Sequence, residues 1–189
     1  ALVNSSSLVN FLRGNTGFED RASNAPPTLA ADNRLYRFRE STLGDLVDTT
    51  PVFVVAPKAN FSDPGYGTAA TPSSFKGQQA TRAGTVYIGA NDGMLHAINA
   101  VDGTERWAYV PSMVLDNMWK LADKNYGSFH NYYVNGDIVV NDVCTDNCTS
   151  ASTAVWKTIL VGGLNGGGKG YFALDITNPT TPLLLWEFD

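Results

Sequence analysis

Apolar and polar positions change period several times along the 189 residues, and the clearest register runs from Val86 to Trp107. Val86 to Ala90 is a β-rich run, Asn91-Asp92-Gly93 is a hairpin-turn set and Met94 to Asn99 returns. Val101-Asp102-Gly103 turns the chain again, and Arg106 to Val110 carries a further strand. Asn or Asp followed by Gly suits both turns, because positive φ is required there. The plan recurs in Lys157 to Gly163, a glycine-rich turn, Tyr171 to Ile176, a Thr-Asn-Pro turn and Leu183 to Phe188. Gly89 matches Gly162, Ala97 matches Ala173 and Trp107 matches Trp186, at offsets of 73, 76 and 79 residues; Gly93 and Gly103 are the turn glycines of the first copy. Each copy follows one more strand-like run, Pro51 to Ala56 and Asp137 to Asn141. Four strands per unit, repeated, is the pattern of propeller blades, whose stacking buries what a lone sheet exposes. The predicted class is therefore all-β: about two four-stranded antiparallel blades with short helical insertions. The repeat spacing exceeds the roughly 40–50 residues usual for a blade, so insertions must supply the excess.

The rest of the chain divides around these units. Residues 1–49 form an N-terminal helix and a lead-in to the propeller, with a helix expected from Ser5 to Gly14: a serine caps it, Leu8, Val9, Phe11 and Leu12 make its stripe and Gly14 ends it. Residues 15–33 read as loop, with Ala-Pro-Pro-Thr in the middle, and Leu35 to Arg39 alternates like an edge strand with both arginines on one side. The first blade spans 50–111 with a Pro/Gly/Ser/Thr-rich insertion at 57–82, a polar loop with little core of its own. In 112–136, Ser112 is a natural N-cap, and Leu115, Met118, Trp119 and Ala122 follow helical spacing, so an amphipathic helix should pack against the blade edge. The aromatic connector after it should tuck most of Phe129, Tyr132 and Tyr133 under that helix. The second blade spans 137–189 and carries a Cys hairpin arm at 144–155.

Composition narrows the function classes. A hydrophobic content of 43% with four Trp, nine Phe and eight Tyr belongs to a folded β core. Propellers close with roughly four to eight blades, so two blades imply a fragment of a larger propeller whose remaining blades are missing. A net charge of −5 argues against a nucleic-acid surface, which needs a basic stripe, and no apolar run is long enough for a transmembrane segment.

Candidate chemistry is sparse. Gly163 to Gly170 approaches the phosphate-loop pattern, but glycine stands where the metal-binding hydroxyl belongs and a strand follows instead of a helix. His96 and His130 lie in different units with no paired Ser or Cys nucleophile, so each reads as a hydrogen-bonded structural residue. Asp92, Asp102, Asp142 and Asp146 lack the spacing of a calcium loop and read as turn residues. Asn4, Asn60 and Asn147 begin glycosylation sequons, which matter only where that machinery exists. Cys144 and Cys148, three residues between them in a polar arm, fit a small disulfide loop, since a metal would need two further soft ligands and the chain has no other Cys. A disulfide favours a periplasmic or extracellular location. Catalytic, cofactor-binding and metal residues are assigned to none.

The Val86 to Trp107 unit resembles the quinoprotein-type propeller repeat. Leu8 to Gly14, Tyr36 to Arg39, Leu43 to Pro51, Tyr109 to Ser112, His130 to Gly136, Trp156 to Gly163 and Gly170 to Ile176, in that order, are similar to the C-terminal domain of the PilY/PilC family of type IV pilus tip proteins. The resemblance implies a modified quinoprotein-type β-propeller that is exported through the periplasm to the pilus tip or cell surface. It also implies a non-enzymatic role in pilus assembly by countering retraction, in twitching motility and in surface adhesion. Its partners would be minor pilins, other pilus components and a host or abiotic surface. Some relatives carry Ca²⁺ in a later blade; no such loop occurs in residues 1–189, so no cofactor is expected in this fragment. Two other readings are a fragment of a quinone-dependent dehydrogenase propeller, which would need a bound cofactor, and an outer-membrane assembly scaffold, whose blades are shorter and more regular.

Overall fold

A computed structural model describes residues 5–25 and 33–189. Helix α1 (Ser5–Leu12) precedes two sheets. Strands β1 (Val52–Val54), β2 (Thr85–Ala90), β3 (Met94–Asn99) and β4 (Glu105–Tyr109) form the first, with the short helix α2 (Phe75–Gln78) between β1 and β2. Strands β5 (Ile138–Asp146), β6 (Val155–Gly163), β7 (Tyr171–Asp175) and β8 (Leu183–Phe188) form the second. Both sheets run in sequence order and every pairing is antiparallel.

The repeat is equivalent at the level of register. Ala97 faces Trp107 and Ala173 faces Trp186, and each sheet shifts register immediately afterwards, between Ala97 and Ile98 and between Ala173 and Leu174. The expected match of Gly89 with Gly162 is off by one: Gly89 pairs with Leu95, two residues before Ala97, and its register equivalent is Gly163, which pairs with Tyr171, two residues before Ala173. A Cβ on Gly89 would lie 2.6 Å from the Val134 carbonyl oxygen, and one on Gly162 2.4 Å from the Phe172 ring. Gly93 adopts φ +94° and Gly103 φ +74°, the left-handed conformation their turns require.

The sheets share one core. Tyr87, Leu95 and Ala97 from the first meet Leu160, Phe172 and Leu174 from the second, together with Val114, Met118, Leu121 and Tyr133 from the segment between them. The Tyr109 and Phe172 rings stand 5.3 Å apart across the junction. Trp107 donates its indole N–H to the Pro179 carbonyl at 2.9 Å, which ties β4 to the β7–β8 turn. Glu187 on β8 accepts from the Tyr109 hydroxyl and from the Ser112 amide and hydroxyl, so one carboxylate joins the outer strands of both sheets. The outermost strand behaves differently: Leu183, Leu184, Leu185, Trp186 and Phe188 are exposed. Side chains on both faces of β2, β3 and β7 are largely buried, whereas those of β8 are largely exposed.

Four local expectations are corrected. Helix α1 forms and Gly14 ends it at φ +93°, but Val9 is exposed and the buried face centres on Phe11. Its N-terminal cap, the Asn4 sequon and most of Ala-Pro-Pro-Thr lie outside the described residues. Residues 35–39 make a single parallel bridge, Tyr36 with Glu19, in place of a strand, because their amides bond to Phe18 and Ala122 and not to a sheet. The two arginines diverge, Arg37 over the Tyr126 ring and Arg39 over Phe11.

Ser112–Ala122 is a 3₁₀ segment, not an α-helix, and Ser112 caps nothing because Glu187 takes both its amide and hydroxyl. Its buried residues are Val114, Met118, Leu121 and Ala122, while Leu115 and Trp119 face outward. Both stripes have helical spacing and share Met118 and Ala122. Tertiary contact chose between them: Gly93 receives Met118, and the Tyr133 hydroxyl holds the Asn117 carbonyl at 2.9 Å. In the connector, Tyr133 is buried, but Phe129 is 71% exposed and Tyr132 43%. A 3₁₀ segment anchored this tightly leaves no space beneath it for three rings.

Candidate functional site

The three insertions differ in how the blades hold them. Residues 57–82 form a strap organised by Tyr66, which is fully buried. Its ring lies 4.9 Å from Phe61, 4.8 Å from Trp156 on β6 and 5.9 Å from Phe75 on α2, while Phe61 stacks on Trp156 at 5.8 Å. Trp156 donates to the Pro64 carbonyl at 2.9 Å, and the Tyr66 hydroxyl donates to Asp142 on β5 at 2.8 Å. Burial and the neighbouring Asp142 carboxylate both push the Tyr66 phenol well above its ordinary value, which keeps it a donor. Arg82 closes the strap on Thr158 at 2.6 Å and on the Val55 carbonyl at 2.9 Å. Ser74 caps α2, and Gly77 beside it is obligatory, since a Cβ there would stand 2.0 Å from the Thr71 oxygen. The expectation of a polar loop with little core is therefore overturned: three aromatics spaced through the Pro/Gly/Ser-rich stretch were the signal of a nucleus.

The arm at 144–155 continues the β5–β6 hairpin, which reaches Asp146 and Val155. A disulfide joins Cys144 and Cys148, and the register shifts between Cys144 and Asp146. Asn147 takes φ +51° at the tip, and residues 145–149 are exposed. Gly65 of the strap approaches Ala151 and Ala154, so strap and arm form a continuous surface on the second sheet.

A third cluster gathers where the lead-in, the β2–β3 turn and the connector converge. Asn91 is buried and donates to Asp45 at 3.0 Å and Asn135 at 3.3 Å, while it accepts from the Tyr133 amide. Asn135 donates to Asp48 at 2.7 Å, and His130 sits 3.0 Å from Asp45. Burial pushes the Asp45 carboxyl up, but Asn91 and His130 outweigh it and hold it below the ordinary range. These contacts lock chain segments up to 87 residues apart.

His96 is buried on β3, its Nδ1 2.6 Å from Glu105 and its Nε2 3.1 Å from Asp92. Asp92 also accepts from the Gly44 amide at 2.9 Å, so the imidazole joins β4, the turn and the lead-in. Burial disfavours its charge, yet the two carboxylates prevail and raise its pKa above 6.5. A raised histidine contributes its full stabilisation below the unfolded value and loses it as pH rises through the folded value. The melting temperature of the protein is therefore expected to fall from pH 6.5 upward by several degrees more than that of His96→Gln. Parallel melting curves for the two proteins would overturn this.

Neither histidine hydrogen-bonds a serine, threonine or cysteine among the described residues. The Gly163–Gly170 stretch is a 3₁₀ turn (Asn165–Gly167) between strands, and Gly167 packs against the Tyr133 carbonyl, where a Cβ would be 1.8 Å away. Asp92 and Asp102 serve turns, Asp142 the strap and Asp146 the arm. Among the described residues no three of His, Cys, Asp or Glu gather into a group that could hold a metal ion. No helix is long and apolar enough to cross a membrane among the described residues. Tyr66, Arg82, Glu19 and Glu187 emerge only in three dimensions, because each acts on a partner at least 20 residues away.

The family model for the PilY1 β-propeller domain matches residues 43–189, well over half of the chain. A type IV pilus biogenesis factor PilY1 homolog of Xylella fastidiosa (strain Temecula1) is 38% identical over 97% of this chain and 14% of the relative. The type IV pilus biogenesis factor PilY1 of Pseudomonas aeruginosa (strain PAK) is 39% identical over 95% of this chain, again 14% of the relative. The chain thus spans about a seventh of the curated relatives it matches. The crystal structure of the Pseudomonas aeruginosa PilY1 C-terminal domain shows 37% identity over 67% of this chain and 24% of that one, with a TM-score of 0.46.

Proposed function

The chain belongs to the family of PilY1 β-propeller domains, and from that premise we propose that it is a non-enzymatic scaffold and contact module of a type IV pilus protein. In this reading the whole protein is exported to the pilus tip or cell surface, supports assembly by countering retraction, and contributes to twitching motility and adhesion. Its partners are minor pilins, other pilus components and a host or abiotic surface. No cofactor is assigned to these residues; Ca²⁺, where the whole protein uses it, belongs to later blades.

The observation that carries the proposal is the distribution of side chains. The inner strands direct theirs into the shared core, both histidines are held by carboxylates and both cysteines by each other, whereas the arm at 144–155 projects polar residues outward. The strap at 57–82 packs on the second sheet and braces that arm through Gly65 against Ala151 and Ala154.

The test replaces residues 145–154 in the full-length protein with a short Gly-Ser bridge. The disulfide closes so short a loop that its removal should cost no more than about 2 kcal/mol. Piliation and folding are expected to persist while surface attachment falls several-fold. Loss of the folded protein, or attachment unchanged, would show that the arm is not the contact surface.

A further inference from the structure

The outward rings that the sequence pattern misplaced are not scattered. Trp119 on the 3₁₀ segment is 54% exposed and Phe129 is 71% exposed, and the two line one cleft of about 320 Å³ together with Lys120, Asp123 and Asn131. Lys120 and Asn131 also line a second cleft, about 250 Å³, with Asn117, His130 and Tyr132 among its walls beside the apolar Met113 and Val114. The two clefts thus share a wall, with large rings at one end and hydrogen-bonding groups at the other. Volumes near 300 Å³ sit at the lower end of ligand sites, which run roughly 300–1,000 Å³.

The segments that carry these rings are fastened to one another. The Tyr133 hydroxyl fastens the 3₁₀ segment to the connector, and the Tyr126 hydroxyl and the Asn131 amide pin the loop that carries Phe129. Asp45 fixes His130, whose ring meets Tyr132 edge-on at 5.2 Å, and Tyr132 in turn packs on Gly166. A backbone held in place before binding loses little entropy on binding, and large apolar rings kept at the surface mark an interaction site. Lys120 and Asn117 meanwhile have no side-chain hydrogen-bond partner within the protein among the described residues.

We propose that this pair of clefts is a saccharide-binding site. A pyranose offers an apolar C–H face to Trp119 or Phe129 and a rim of hydroxyls to Lys120, Asn131 and Asn117. Other ligand classes match less well. The walls are a 3₁₀ segment and a turn, with no open strand edge on which a peptide could pair. Among the described residues Lys120 is the one Lys or Arg that lines either cleft, and Asp123 stands beside it, so the site lacks the cationic field a nucleic acid requires. The site is separate from the 144–155 arm and does not depend on that arm carrying adhesion.

The experiment uses the full-length protein. Acrylamide quenching is compared between the protein and Trp119→Phe, so that the difference reports Trp119 alone. Cellotriose, chitotriose and galactobiose are then titrated by saturation-transfer NMR against the protein, Trp119→Ala, Phe129→Ala and, as an exposed neighbour outside both clefts, Leu115→Ala. The expected result is an accessible Trp119 and binding of at least one saccharide that weakens about tenfold or more in both ring variants and persists in Leu115→Ala. Three outcomes would overturn the proposal: Trp119 shielded from quencher because another part of the protein covers it, no binding of any probe, or binding retained in the ring variants.

Discussion

Phe172→Ala is expected to destabilise the protein by about 3–5 kcal/mol, the usual cost of emptying a buried ring site. Phe172 has no exposed surface, belongs to the core shared by both sheets and stands against Tyr109 of the first. Its ring also occupies the space that Gly162 leaves by lacking a Cβ, so Gly162 has no side chain with which to refill the cavity. Against a typical total of roughly 5–15 kcal/mol, the loss is a large share. Urea unfolding should show a lower midpoint with an unchanged slope. Val101→Ala, at a residue 88% exposed, should stay within about 0.5 kcal/mol of the parent. Equal effects from the two variants would mean that the sheets do not share a core.

The second large effect is expected at Glu19, a fully buried carboxylate 2.7 Å from Arg39 and 2.6 Å from Arg21. Arg39 is itself buried and lies 3.7 Å above the Phe11 ring. Removing one partner of a buried pair strands the other charge, so Glu19→Ala should cost about 3–5 kcal/mol and lower the melting temperature by roughly 6–20 °C. Arg39→Met combined with Glu19→Ala should cost less than the sum of the single variants, because neither charge is then left alone. Burial raises the Glu19 pKa, but Arg39 and Arg21 outweigh it and hold the value below the ordinary carboxylate range. A lowered carboxylate stabilises fully above its unfolded value and loses that contribution as pH falls through the folded one. The difference between protein and variant should therefore narrow only as the solution becomes more acidic than pH 4.5. Strict additivity in the double variant would refute the pairing as the source of the effect.

The two predictions concern kinds of residue that differ in how far a linear pattern reveals them. Phe172 sits in a continuous apolar run, Tyr171 to Leu174, whose match to the first repeat was readable as an inner blade strand. Glu19 lies in a stretch with no periodicity; nothing in the residues near it announces Arg39, which is 20 positions away.

Local order along the chain determined the eight strands, the Gly93 and Gly103 turns, the equivalence of Trp107 and Trp186 and the Cys144–Cys148 loop, because hairpins and short loops are closed by near neighbours whose types set the allowed φ and the side-chain period. Tertiary structure decided which face of 112–122 is buried, since two helical stripes of similar apolarity competed and only Gly93 and Tyr133 separated them. It likewise turned 57–82 from a polar loop into a strap, because Tyr66 finds Trp156 and Asp142 on a sheet formed some 76 residues or more later in the chain. It left Phe129 and Trp119 outside for the same reason: burial depends on the space that distant elements leave, and that space is not a property of any local stretch of sequence.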